Sequence, residues 1–245
     1  MRLVLNRAAK KNALTNAMYG ALTDALARAE TDRSIRAVLF EAEGDVFCAG
    51  NDIGDFAAAA GDASGSRDAV RGFDFIFQLG RATKPYVAAV QGKAVGVGLT
   101  MLLHCDLVFV AEEATLSAPF VNLALVPEAA SSLLLPARIG HARAFAMFAL
   151  GEAVDGKTAA AIGLANAAVP RADVRARALA AAQALAAQPL DAVCATKRLM
   201  RDAEQIGAVM KREAVSFAER LKSAEAVEAF RAFAERRAPD FRQLG

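Results

Sequence analysis

The stretch QGKAVGVGLTMLLHCDLVFVAEEATLSAP, residues 91–119, decides the architecture. It reads as a glycine-rich loop, then an apolar helix over Leu99–His104, then a strand. Just upstream, Lys84-Pro85 introduces another short strand, YVAAV (Tyr86–Val90). Strands alternating with helices in this way imply an α/β protein built on a mostly parallel sheet.

The same alternation extends in both directions. MRLVLN reads as a strand at the start. Leu14, Met18, Leu22 and Leu26 recur every four residues, so Thr15–Glu30 is an amphipathic helix with Thr15 as its N-cap. AVLFEA (Ala37–Ala42) is a short buried strand, and FCAGNDIGDF (Phe47–Phe56) is a strand end running into a loop. The small and polar residues Ala57–Ser66 read as a mobile surface loop, and Arg67–Arg81 as a helix. Beyond Ser131 helix dominates, with Leu190–Leu221 and Ala224–Arg237 rich in alanine, leucine and charge. This places an α/β core at 1–189 and a helical portion at 190–245.

Composition excludes several classes. Hydrophobic residues make up 55% and charged residues 23%, a globular balance rather than a disordered one. The 29 basic and 27 acidic residues are interspersed, which is not the clustered basic face that nucleic acid requires. Cys48, Cys105 and Cys194 are too few and too scattered for a disulfide framework or a zinc site. No apolar run is long enough to span a bilayer, and the N-terminus lacks a signal-peptide core. A cytoplasmic protein with no membrane partner and no metal is expected.

Three places can carry chemistry. In Ala49-Gly50-Asn51-Asp52 a strand ends in small residues, letting backbone approach a ligand and leaving an N–H pointing outward. Gly96-Val97-Gly98 opens an apolar helix, whose first N–H groups lack intrahelical partners. Two such donors converging would form an oxyanion hole; the alternative is that the glycines serve tight packing. Glu128, in LALVPEAASSLLLP, lies in an apolar run where desolvation would raise its pKa and suit it to proton transfer. It reads equally well as a first-turn glutamate following Pro127. His104 reads as a core or subunit-contact histidine, and Lys211-Arg212-Glu213 and Glu235-Arg236-Arg237 as solvated helix faces.

Taken together these segments resemble the crotonase (enoyl-CoA hydratase/isomerase) family along nearly the whole chain. Asn6-Arg7 with Lys11-Asn12-Ala13-Leu14 is similar to its N-R-P-x-x-x-N-A-L opening. Phe47–Ile53 is similar to F-C-A-G-x-D-[LI], and Gly92–Gly98 with Cys105-Asp106 to G-x-A-x-G-x-G…C-D. Gly151-Glu152, Ala159-Ala160 and Gly163–Asn166 resemble a later G-E…G-L-V-N segment, and Phe230–Phe241 the terminal F-x-x-K-R-x-P-x-F.

The resemblance implies a spiral of ββα turns with C-terminal helices that assemble a homotrimer or a dimer of trimers. It implies an acyl-CoA thioester substrate, coenzyme A entering as part of that substrate and no permanently bound cofactor. The thioester oxygen would lie between the N–H groups of Asn51 and Val97, beside Gly50 and Gly96. The nucleotide end would lie near Lys11–Ala13 and Ala49–Ile53, including Asp52, with basic help from Lys11 or Arg7. Family members usually carry one more strand pair before the N-R-P segment, so this chain is expected either to have an incomplete first sheet edge or a misassigned start.

The family's hydratases use two glutamates, at positions occupied here by Thr100 and Phe120. The P-E-x-x-S-S context of Glu128 and the G-N-D at Gly50–Asp52 resemble the peroxisomal-type Δ3,Δ2-enoyl-CoA isomerases instead. The implied reaction is the shift of a 3-enoyl-CoA double bond to the 2-position, with Glu128 as acid/base. Hydration, thioester hydrolysis, decarboxylation and a catalytically silent acyl-CoA-binding role are the rivals.

Overall fold

In the computed structural model, which describes residues 1–52, 54 and 67–242, the strands β2 (Val38–Ala42) and β4 (Tyr86–Val90) are buried at every position. Continuous burial of this kind belongs to parallel strands covered on both faces. They lie inside a five-stranded parallel sheet with β1 (Arg2–Leu5), β6 (Leu107–Ala111) and β9 (Ala167–Val169), in the order β1-β2-β4-β6-β9. A second sheet holds β3 (Val46–Cys48), β5 (Lys93–Val95), β7 (Thr115–Ser117) and β8 (Val154–Asp155), in that order, with only the β7–β8 pair antiparallel. The single sheet expected from the alternation is therefore divided into two. The chain repeatedly lays one strand in the first sheet, turns a corner, and lays the next in the second. This is the ββα spiral that the family resemblance implied.

The corners stack because polar side chains satisfy their backbone. A Cβ on Gly92, at the β4–β5 corner, would lie 1.9 Å from the Asp45 carbonyl oxygen at the β2–β3 corner, so only glycine fits. Beside it Gln91 Nε2 donates to the carbonyls of Ala42 (3.0 Å) and Gly44 (3.1 Å). Asn12 does similar work from the opening segment: it is fully buried, donates to the carbonyls of Glu43 (2.8 Å) and Val46 (2.7 Å), and accepts from the Arg7 N–H (2.8 Å). Each buried backbone group left unpaired would cost about 1–3 kcal/mol, so one asparagine secures three.

The first helix, α1 (Asn16–Thr31), begins as expected, with the Thr15 hydroxyl accepting from the Met18 N–H (3.3 Å). It packs on α2 (Arg67–Gly80). The helix expected at Leu99–His104 starts earlier, as α3 (Val97–Thr100), and tightens into a 3-10 turn over Met101–His104. The chain must leave helical geometry there to enter β6, and Asp106 N–H already bonds the Tyr86 carbonyl (2.8 Å). The later helices are α4 (Ser131–Ile139), α5 (His141–Phe145), α6 (Gly156–Ala161), α7 (Val174–Ala187), α8 (Leu190–Met200), α9 (Ala203–Leu221) and α10 (Ala224–Ala234). Helix α7 covers β4 and β6, while α9 leans on α2 and α4. No single described helix is long and apolar enough to cross a membrane.

The apolar residues of the C-terminal helices divide. Ile206, Met210 and Phe217 are buried within the chain itself, not held out for a neighbour. Leu199 and Met200 are 90% and 83% exposed, and Phe233 is also exposed. Strand β1 pairs with β2 on one side and has no described strand on the other. The segment read as a loop at Ala57–Ser66 lies outside the described residues.

Candidate active site

Strands β3 and β5 run parallel and side by side, so the segments that follow them, Ala49–Asp52 and Gly96–Gly98, emerge at the same edge of the second sheet. Two glycines bring them into contact. Gly50 (φ +95°) leaves 3.2 Å between a notional Cβ and the Val95 carbonyl oxygen. A Cβ on Gly98 would meet the Cys48 carbonyl oxygen at 2.6 Å and the Cys48 Cβ at 2.8 Å. The tight-packing reading of these glycines holds, and the packing brings the two segments into contact.

Each segment offers one spare donor. Leu14 bridges Asn51 by giving its N–H to the Gly50 carbonyl (2.8 Å) and accepting from the Asp52 N–H (2.9 Å). That leaves the Asn51 N–H facing away from Leu14, with no acceptor among the described residues. Gly96 (φ +56°) turns the chain into α3 and accepts from both Leu99 and Thr100 (2.9 Å each). The Val97 N–H, in the first position of that helix, likewise has no described acceptor. Asn51, Val97 and Glu128 all line the same two cavities, of about 200 and 460 Å³.

Glu128 is 7% exposed and does not sit on a helix. Helix α4 starts only at Ser131, so the first-turn capping reading of Glu128 does not hold. Its Oε1 accepts from the Thr100 hydroxyl (2.5 Å), while Oε2 is buried with no hydrogen-bond partner. Val97 and Thr100 are three residues apart on α3, so one short helix supplies both a spare N–H and the hydroxyl that holds the carboxylate. Burial pushes the Glu128 pKa up to about 8; the Thr100 hydrogen bond works against that rise, and the nearby Glu213 carboxylate adds to it.

The chain next to Glu128 is held in an unfavourable shape. Ala129 and Ala130 both have positive φ (60° and 54°), at a cost of roughly 1–2 kcal/mol per residue for a side chain other than glycine. Two buried groups hold them there. His104 Nε2 lies 2.8 Å from the Ala129 carbonyl. Its Nδ1 meets Arg201, which can only donate, so Nε2 carries the proton and donates to Ala129. Burial first, then Arg201, drives the His104 pKa well down, so the ring is neutral.

The second group is Glu213 on α9. Its carboxylate accepts from the Ala130 N–H (2.6 Å), the Ser132 N–H (2.9 Å) and the Ser132 hydroxyl. Glu213 is 7% exposed, so the reading of Lys211-Arg212-Glu213 as a wholly solvated face is wrong at its last member. The clue lay in the spacing: Ile206, Met210, Glu213 and Phe217 share one helical stripe, and that stripe faces inward.

The remaining expected residues are distributed around this centre. Asp52 lines the smaller cavity and pairs with Arg7 (2.7 Å), which also donates to the Ala13 carbonyl (3.1 Å). Lys11 is exposed in a left-handed turn, and its carbonyl accepts from the Ala49 N–H (3.1 Å). Ala49, Gly50 and Gly96 line the larger cavity, and Ile53 lies outside the described residues. Phe120 is an apolar wall of that cavity and packs on Phe148. The sequence reading did not place at the site Tyr19, whose hydroxyl hydrogen-bonds the Asn51 side chain, or Phe217, which lines both cavities from the C-terminal helices.

A family model described as enoyl-CoA hydratase/isomerase matches residues 1–244. The chain belongs to the enoyl-CoA hydratase/isomerase, or crotonase, family. Its activity class is accordingly that of an enoyl-CoA hydratase/isomerase acting on acyl-CoA thioesters. A crystal structure of an enoyl-CoA hydratase/isomerase from Pseudoalteromonas atlantica T6c superposes with a TM-score of 0.91 at 44% identity, covering 98% of this chain and 95% of that one. Among curated proteins, a probable enoyl-CoA hydratase of Bacillus subtilis is 32% identical, over 94% of this chain and 91% of its own length. The enoyl-CoA delta isomerase 2 of Rattus norvegicus is 31% identical over 96% of this chain, which spans 61% of that longer protein. Crotonase-family relatives thus carry both reaction names.

Gly98→Ala tests the contact that joins the two donor segments. The added methyl cannot fit against Cys48, so α3 must shift, taking Val97 and Thr100 with it. Overpacking of this kind costs about 1–3 kcal/mol, read as a lowered Tm. Turnover on an enoyl-CoA substrate should fall by about 10²-fold, the scale for losing an oxyanion donor. Wild-type turnover in a folded variant would show that the two segments need not touch.

Proposed function

We propose that this enzyme isomerises 3-enoyl-CoA to 2-enoyl-CoA, with the Asn51 and Val97 N–H groups holding the thioester oxygen and Glu128 moving the proton. The observation that carries this reading is the state of Glu128: buried, held by one oxygen to Thr100, and unpartnered at the other. The unpartnered oxygen takes a proton from C2. The electron pair spreads over C2, C4 and the thioester oxygen as a dienolate, whose negative oxygen the two N–H groups stabilise. The same carboxyl then returns the proton to C4. One proton leaves and one arrives, so a single acid/base group suffices and water takes no part.

Hydration makes a larger demand, because a water must be activated and a proton delivered. The two positions that hold glutamates in the family's hydratases hold Thr100 and Phe120 here. Thr100 is committed to Glu128, and Phe120 is an apolar wall. Asp52, the other carboxylate among the described lining residues, is neutralised by Arg7. The raised basicity of Glu128 also fits a group that must both take and give a proton near neutral pH.

The coenzyme A portion would run over Ala13 and Ala49–Asp52, beside the exposed Lys11, while Arg7 is occupied by Asp52. Lys11→Ala should therefore raise KM more than it lowers kcat. An unchanged KM would place the nucleotide elsewhere.

The decisive experiment compares purified wild-type and Glu128→Gln protein on 3-enoyl-CoA and 2-enoyl-CoA. Wild type should isomerise the first faster than it hydrates the second. The Gln variant keeps volume and donors but loses about 10²–10⁴-fold in turnover, with KM little changed. Full activity in the variant, or faster hydration in wild type, would overturn the isomerase reading.

The base must be ionised to act, so protonation removes activity. With the Glu128 pKa at about 8, kcat/KM on 3-enoyl-CoA should climb as pH rises through 8 and decline below it. An acid limb centred in the ordinary carboxylate range would show that Glu128 is not the group being titrated.

A further inference from the structure

Resting on the assignment of Glu128 as the acid/base group, we infer that Glu213 is its positioning residue: by gripping the Ala130 and Ser132 amides from α9, it holds the left-handed turn that aims the Glu128 carboxylate into the cavity. Three facts point the same way. The Glu213 carboxylate, itself buried, spends its oxygens on donors of that turn, one of them within two residues of Glu128. Ala129 and Ala130 stand at positive φ without being glycines, so the turn does not hold its shape by local preference. The Ser131 N–H bonds back to the Glu128 carbonyl (3.0 Å), so a shift of the amides Glu213 holds is passed to Glu128 through one hydrogen bond.

The grip also makes the C-terminal region part of the acid/base centre. Phe217 stands one turn beyond Glu213 on the same helix and lines both cavities. Packing of an acyl chain against Phe217 and the setting of the Glu128 turn are therefore two contacts of one rigid helix.

Glu213 has a second, separable effect through its charge. The groups facing Glu128 are Thr100 from α3, Tyr19 from α1, Asp52 after β3 and Glu213 from α9; Arg237 lines the larger cavity but is tied to Glu228 and Glu235. Glu213, itself faced by Arg212, raises the Glu128 pKa, so deleting its charge must lower it. A residue that merely stabilised α9 would not move the titration of Glu128.

The test measures kcat, KM and the pH profile on 3-enoyl-CoA for Glu213→Gln and Glu213→Asp, with Glu128→Gln alongside. Glu213→Gln keeps the volume but turns an acceptor into an amide that opposes an N–H. Its kcat should drop by about 10²-fold, the scale for a misplacement near 1 Å, with KM held within twofold of wild type and the acid limb moved to lower pH. Glu213→Asp keeps the charge but shortens the reach, so kcat should drop while the acid limb stays where wild type has it. A folded Gln variant with wild-type kcat, or with its acid limb unmoved, overturns the inference. Should Glu213→Gln fail to fold, Glu213→Asp carries the test alone, and wild-type kcat in that folded variant overturns it equally. Full activity in Glu128→Gln, by contrast, would strike the isomerase mechanism itself, whatever the Glu213 variants do.

Discussion

Everything in this site depends on two backbones approaching more closely than side chains permit. Gly50 lies against the Val95 carbonyl and Gly98 against the Cys48 carbonyl, each glycine belonging to one segment and each carbonyl to the other. The contact is reciprocal, so the segments cannot slide without breaking one of the two. Parallel pairing of β3 with β5 sets the direction, and the glycines set the distance. The spare N–H groups of Asn51 and Val97 follow as a consequence: each belongs to a residue whose neighbours are spent on fixing the contact. In the proposed role, a pair of donors held this way would reorganise little as charge develops on the thioester oxygen, which is where an oxyanion site gains its advantage over water.

The carboxylate is built on the opposite principle. Glu128 belongs to no helix or strand, and its turn is held by three buried side chains from three other elements: Thr100, His104 and Glu213. Two of these lie on the segment that begins with Val97. The Val97 N–H and one side of the Glu128 carboxylate therefore share a foundation, and the other side rests on α9. Glu213 and Phe217, both in the helical portion expected at 190–245, reach the Glu128 turn and the cavities beside it.

Much of this was legible in the residues. Central strands such as VLFEA and YVAAV announce themselves by unbroken apolar character, and Thr15 with the four-residue spacing of leucines fixes α1. The glycine motifs marked the two segments that meet, and the apolar surroundings of Glu128 anticipated its raised pKa. What was hidden is also physically explicable. Strand β9 is Ala167-Ala168-Val169, a composition with little preference for a sheet, and it forms because β6 presents a free edge and Asn166 accepts from the Val108 N–H (2.6 Å). The left-handed turn at Ala129-Ala130 carries no glycine or asparagine to mark it. Its shape is imposed by Glu213, some eighty residues later in the chain, and a local reading cannot see it.

On the proposed isomerase reading, the electrostatic balance at Glu128 suits a site that works with one carboxylate. Burial raises its pKa and Glu213 raises it further, while the Thr100 hydroxyl pulls it back. A second glutamate in place of Thr100 would replace that stabilising donor with a like charge and drive one of the pair to stay protonated. That arrangement provides an acid beside a base, which addition of water requires. A threonine there keeps a single group whose proton affinity lies near neutrality, able to take a proton from one carbon and surrender it to another. The hydroxyl leaves one oxygen of Glu128 fixed and the other free, so the carboxyl can exchange its proton with either carbon without turning, provided both pass the same free oxygen. Proton shuttling along one face of the substrate, the proposed reaction, asks the least rearrangement of a carboxyl held in this way.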